Sequence, residues 1–329
     1  MEPRRRAGPR PPSRTAQDDY DRAAEAAAAT VIARYSTSFG VATRLLQGVV
    51  RRRTRSVYAL VRVADEIVDG AAAGAGLGPE AIAQRLDDYE RETEAALAVG
   101  FSTDLVVHSF ATAARATGIG ADLTRPFFAA MRADLAISAH TDDTFERYVY
   151  GSAEVVGLMC LRVFVTDGAD TPVEPSPHLV SGARRLGAAF QKVNFLRDLA
   201  ADVGERGRSY FPGIDAAQLS DADRDRLLAD IDADLAAARA VIDDLPDSSR
   251  LAVLSAHDLF AELSRRLARV PASTLLTTRV RVPDARKALV VARAVARDRR
   301  GHGARRRAGE GTPRGGRSGT RSGTADPAP

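Results

Sequence analysis

Two runs of polar residues inside otherwise apolar sequence could do chemistry in this 329-residue chain. In SVYALVRVADEIVDG, residues 56–70, Tyr58, Arg62, Asp65 and Asp69 stand at offsets of 0, 4, 7 and 11. At about 100° per residue they share a helix-face arc of roughly 60°. Most other positions there, Glu66 apart, are Val, Ala, Leu or Ile, so the helix should be buried nearly all round and its carboxylates should face an interior. Residues 187–212, GAAFQKVNFLRDLAADVGERGRSYFP, repeat the arrangement. There Gln191, Asn194, Asp198 and Asp202 stand at offsets of 0, 3, 7 and 11, among Phe190, Val193, Phe195, Leu196 and Leu199 and beside Arg197, Arg206 and Arg208. Their arc is roughly 80°.

Neighbouring carboxylates in a low-dielectric site are costly unless cations compensate them. Hard oxygen donors on opposed helices suit Mg²⁺, which keeps several waters and shares its remaining positions with substrate phosphates. Arginine forks match diphosphate oxygens. The chemistry this set would serve is departure of diphosphate from an allylic substrate, inside an apolar cavity that keeps water from the resulting carbocation. One stripe alone is equally well an exposed face with i, i+4 pairing; two matching stripes with so few other polar positions favour the diphosphate reading. Without metal, the four carboxylates should repel one another, so that deleting one relieves the fold.

The elements that must position these stripes are helices. Apolar residues recur at three- and four-residue spacing over 18–34, 79–98, 122–138, 144–165, 178–203, 220–244 and 249–268, without the alternation of strands. Breaks fall at Gly70–Gly78, Gly118–Gly120, 167–177 and Pro212–Gly213. Ser220 with Asp223 forms a capping-box pattern, and the Asp-rich stretch 221–234 reads as a solvated face. The expected fold is all-α: one domain over 18–297, with basic tails at 1–17 and 298–329 too polar to fold.

Composition excludes other classes. Five Arg against one Glu in 1–17, and nine Arg against three acids in 297–329, exceed the whole net charge of +4, so the body is acidic. With no Trp and 5% aromatics, the body offers no stacking platform, and no specific nucleic acid is expected. The single Cys160 allows no internal disulfide, which fits a reducing, cytoplasmic setting. No run of 18 uncharged apolar residues is present, so no membrane-spanning helix is expected. Residues 70–78 lack dinucleotide-binding spacing and neither lysine follows a glycine. The five histidines have no ligand spacing and read as structural or exposed.

The chain resembles the squalene/phytoene synthase family of head-to-head prenyl transferases. The resemblance is carried by YSTSF at 35–39, Tyr58 to Asp69, YGSAEVVGLM at 150–159, Gln191 to Asp202, and R-x-Y-x-P at Arg208–Pro212. It implies an isoprenoid-synthase fold with a central cavity. It also implies catalytic Asp65, Asp69, Asp198 and Asp202, holding Mg²⁺ (or Mn²⁺) together with Asn194. Tyr58, Arg62, Gln191, Arg197, Arg208 and Tyr210 would lie near diphosphate, Ser36 and Ser38 by a flap, and Ala153, Val156 and Gly157 along the prenyl tunnel or in close helix packing. Phe260 stands near where many relatives have Tyr. The wording is nearest to bacterial phytoene synthases. That implies joining two geranylgeranyl diphosphates through prephytoene diphosphate to phytoene, with no NADPH expected, in a cytoplasmic protein peripherally attached to membrane. A squalene-type synthase using farnesyl diphosphate, and a non-catalytic protein of the same fold, are the alternatives.

Overall fold

A computed structural model of the chain describes residues 15–36, 38–204, 210–215 and 218–310, with side chains except at 38–39, 201–204 and 301–310. Among the described residues fourteen α-helices follow one another: α1 Ala16–Tyr35, α2 Ser38–Thr43, α3 Gly48–Asp69, α4 Ala71–Gly74, α5 Pro79–Val99, α6 Leu105–Thr117, α7 Ala121–Ala136, α8 Asp142–Val149, α9 Val155–Val165, α10 Pro177–Gly204, α11 Asp221–Ile242, α12 Asp247–Leu267, α13 Ala272–Leu275 and α14 Asp284–Glu310. A π-helical turn, Tyr150–Glu154, joins α8 to α9. No strand occurs among the described residues.

The helix ends follow local chemistry. Thr15 caps α1 in a capping box with Asp18, and Ser220 caps α11 reciprocally with Asp223, as its spacing predicts. Gly118 ends α6 with φ +73°, a left-handed conformation open to glycine at little cost. Phe110, Phe127 and Phe128 are fully buried in a core that also takes in Leu60 of α3, Met159 of α9 and Leu196 of α10. Both polar stripes therefore sit on helices anchored in the core.

Three expectations need correcting. The helix expected over 144–165 contains the π-turn, at a point where it packs so closely on α7 that a Cβ on Gly151 would lie 2.3 Å from the Pro126 carbonyl oxygen. α14 continues through Glu310, past the expected boundary at 297/298, because its Ala- and Arg-rich sequence favours helix. The solvated-face reading of 221–234 fails at Asp234. That carboxylate is buried and accepts from Lys192 Nζ and Arg185 at 2.8 Å each; these partners compensate its desolvation.

By length and composition the continuous segment Asp142–Val165 is apolar enough to cross a membrane, which the single-run criterion did not detect. Its buried side chains, including Val155, Met159, Leu161 and Val163, belong to the core. Among the histidines, His108 binds Asp21 and Ser102, His257 binds Asp258 and the Leu235 carbonyl, and His178 is exposed.

Candidate active site

α3 and α10 line one apolar cavity. Tyr58 comes from the first, Gln191 and Asn194 from the second, and Ala153, Val156, Gly157, Phe190 and Phe260 supply apolar wall. The small residues of the π-turn and α9 combine a cavity lining with close helix packing. They face the cavity, and they let backbones touch: a Cβ on Gly157 would lie 2.7 Å from the Ala183 carbonyl oxygen, and one on Gly187 2.6 Å from that of Ala153. Phe260 stacks on Phe190, so the position without the hydroxyl is wall.

The carboxylates lie further along the same helices, outside the lining of that cavity. Asp65 is 32% exposed and Asp198 24%, so the acidic stripes are partly solvated rather than interior. The reason is local: each carboxylate has a guanidinium that solvent also reaches. Arg62 binds Asp65 at 2.5 Å and also Glu66, one turn on, while its guanidinium lies 4.7 Å from the centroid of the Tyr35 ring. Burial opposes the charge on Arg62, but Asp65 and Glu66 outweigh it and hold the guanidinium above its ordinary range. Asp198 is gripped by Arg197, with Nε at 2.9 Å, and by Arg279, with Nε at 2.7 Å. Burial and the like charge of Arg197 push Arg279 down against the pull of Asp198. Arginines therefore offset the charge of Asp65 and of Asp198.

Burial raises the Tyr58 phenol, while its hydrogen bond with Ser36 and the charge of Arg62 pull the other way. Ser36 also accepts from the Gly40 N–H at 3.0 Å, tying the end of α1 to α2 beside the site. Tyr210 is buried against Phe195, with ring centroids 4.0 Å apart. It hydrogen-bonds Tyr148, which donates to Asp134 at 2.7 Å. Tyr210 therefore anchors an aromatic stack and does not line the cavity. The side chains of Ser38 and Asp202, and all of Arg208, lie outside the described residues.

Spacing alone missed Arg279, which reaches Asp198 from a loop 81 positions away, and the pair Asp134–Tyr148 behind Tyr210. The only available signal was the clustering of basic residues in TTRVRV, residues 277–282.

Among the described residues, no three His, Cys, Asp or Glu side chains come close enough to hold one metal ion. The donor set still fits a hard cation. Asp65, Asp69 and Asp198 offer carboxylate oxygens, and the Asn194 Oδ1 is a buried acceptor with no hydrogen-bond partner among the described residues.

The squalene/phytoene synthase family matches residues 32–286, and the chain belongs to that family. It is 32% identical over 202 residues to the 15-cis-phytoene synthase of Synechocystis, covering 60% of this chain and 58% of that one. It is 31% identical over 211 residues to the chloroplastic phytoene synthase 1 of Zea mays, covering 64% and 48%. The aligned part thus spans about half the length of these relatives. In fold it matches a dehydrosqualene synthase solved with a ligand, with TM-score 0.72, 20% identity, and 85% of this chain and 98% of that one covered. It also matches the squalene synthase HpnC of Alicyclobacillus acidocaldarius, with TM-score 0.63, 17% identity, and 76% and 96% covered. These likenesses establish the all-α prenyl-synthase fold.

Proposed function

We propose that the chain is a prenyl transferase that joins two geranylgeranyl diphosphates head to head, through prephytoene diphosphate, into phytoene, the entry step of carotenoid formation. The observation that carries this is the meeting of the two stripe-bearing helices at one apolar cavity, with the polar residues Tyr58, Gln191 and Asn194 in its lining. The relatives named phytoene synthase support the chain length chosen.

Asp65, Asp69, Asn194, Asp198 and Asp202 would hold Mg²⁺, or Mn²⁺ in its place; the bound cation neutralises diphosphate as it departs. Arg62, Arg197 and Arg279, now spent on carboxylates, are the forks that can turn to diphosphate oxygens. Arg208 belongs to the same proposed set. Tyr58, held by Ser36, fixes the polar end of the substrate, with Ser38 assigned to the flap. Gln191 and Asn194 orient the diphosphate-bearing carbon toward the cavity. Phe190, Phe260, Ala153, Val156 and Gly157 keep the prenyl chain dry, so that the cation reacts with the second chain's double bond.

Purified chain given geranylgeranyl or farnesyl diphosphate with Mg²⁺, with and without NADPH, tests the reading. Phytoene from the first, independent of NADPH, is expected. Only C30 products would move the chain to the squalene-type alternative; no diphosphate release would make it a non-catalytic relative.

The proposal extends to a cytoplasmic protein attached to the membrane surface, since substrate and product are both greasy and the apolar segment Asp142–Val165 is built into the core. Flotation on anionic liposomes that weakens with salt is expected; salt-independent flotation would overturn electrostatic attachment.

A further inference from the structure

The start of α3 carries charge of the wrong sign. A helix N-terminus is the positive end of its dipole and favours acids. The first turn of α3 holds no acid, Gln47 gives it no capping hydrogen bond, and Arg51, Arg52, Arg53 and Arg55 follow. On the same helix, Arg52 takes Glu25, and Arg62 takes Asp65 and Glu66. Arg44, Arg51 and Arg55 meet no acid among the described residues. Arg51 and Arg55 stand one turn apart on one face of α3, where side chains lean toward the helix start. The Arg51 Nε donates to the Leu46 carbonyl at 2.8 Å, which folds that side chain back over the turn of residues 44–47. Arg44 stands at the head of this turn. Burial first, then the like charges of Arg51 and Arg44, push the Arg55 guanidinium down, and no acid opposes them. The Arg55 Nε is buried with no hydrogen-bond partner among the described residues. A second orphan abuts the same helix start: the Gln47 N–H donates to the Ser248 carbonyl at 3.2 Å, and Ser248, 9% exposed, has a buried hydroxyl with no partner among the described residues. Like charges gathered beside unpaired polar atoms are costly, and an anion there removes the cost.

We propose that Arg44, Arg51 and Arg55, with the N-terminus of α3, bind a phosphate group at a site separate from the acidic stripes. Guanidinium forks and the free N–H groups of a helix start both match phosphate oxygens. Arg55 and Asp65 are ten positions apart on α3, about 15 Å along its axis. Thr43 and Leu46, beside Arg44, line the apolar cavity, so the site borders the cavity without being the place where diphosphate departs. The phosphate is that of a free anion or of a lipid headgroup, which offer the same oxygens.

Melting curves of the full-length chain are taken in EDTA with rising inorganic phosphate, beside chloride at matched ionic strength. Flotation on vesicles of phosphatidylcholine, alone or mixed with phosphatidic acid, separates the two sources. For a free anion, the parent should melt about 3 °C higher than in chloride at ten times the dissociation constant. Arg44→Gln and Arg55→Gln should each weaken phosphate binding at least about tenfold, the worth of a charge-assisted hydrogen bond. In chloride both variants should melt no lower than the parent, because each relieves like-charge repulsion. For a headgroup, phosphatidic acid vesicles should hold the parent and release both variants, with no response to free phosphate. A phosphate or vesicle response that persists in both variants, or no response to either source, overturns the site. Variants that melt well below the parent in chloride make the arginines structural and also overturn it. None of these readouts needs turnover, so failure here leaves the prenyl-transferase reading standing.

Discussion

Phe190 of α10 and Phe260 of α12 stack nearly parallel in the cavity wall, with ring centroids 3.8 Å apart and planes 20° apart. Their contact joins the helix that carries the second acidic stripe to the one that closes the cavity. Phe260→Ala would remove a buried ring and leave a hole, at a cost of about 3–5 kcal/mol. For a domain this large, the melting temperature should fall by roughly 6–15 °C. The same variant should gain turnover on a prenyl diphosphate one isoprene unit longer, measured beside the melting curve. An unchanged melting temperature would place the ring outside the supporting core.

Glycines at the contact between α9 and α10 set how closely those helices approach. An added Cβ at Gly157 or Gly187 meets backbone oxygen, which cannot swing aside. Gly157→Ala and Gly187→Ala should each destabilise by about 1–3 kcal/mol in urea titrations. Gly74→Ala meets nothing within 4 Å and should stabilise by up to about 1 kcal/mol. Equal effects at all three positions would refute close packing as the cause.

Asp198 lies between two guanidiniums. In EDTA, Asp198→Ala should therefore destabilise the fold slightly, by about 1 kcal/mol or less for so exposed a cluster, and lower the melting temperature accordingly; Asp65→Ala should do the same through Arg62. Turnover with Mg²⁺ should fall roughly a thousandfold or more in each. A variant that melts higher in EDTA than the parent would restore carboxylate repulsion as the dominant force.

Burial pushes the Cys160 thiol up to about 12, and it lines the cavity. The sign is simple: raising the value removes thiolate at any lower pH. At pH 8.5 the native chain should carry on the order of a thousandfold less thiolate than an ordinary cysteine. Iodoacetamide should label it slowly until urea unfolds the chain, with mass spectrometry as the readout. Rapid labelling of the native chain would contradict a dry cavity wall.

Helix positions were largely legible because most of the helices are amphipathic. α6 was missed for the opposite reason: Val107, Phe110, Ala111, Ala113 and Ala114 are buried around much of its circumference, leaving little periodicity to read. The residues that flank the site within one helix, Tyr58 to Asp69 and Gln191 to Asp198, were readable because spacing on a helix is geometry. Arg279, Tyr148 and Asp134 were not, because they come from separate elements and meet only through tertiary packing. The degree of burial was also misjudged: an apolar neighbourhood in sequence did not reveal that Asp65 and Asp198 sit where arginines and solvent both reach them.

The π-turn at Tyr150–Glu154 has a consequence for how this segment can change. One residue inserted into a helix rotates everything downstream by about 100°. Val156, Gly157 and Cys160 face the cavity in the phase set by that insertion. Deleting a single residue from the turn would restore regular α-helix and swing Gly157 away from Ala183, while bringing bulkier neighbours to the contact. Length variation here is thus a change of phase, and apart from Gly151 and Gly157, where an added Cβ would meet backbone oxygen, the segment should accept substitutions far more readily than deletions.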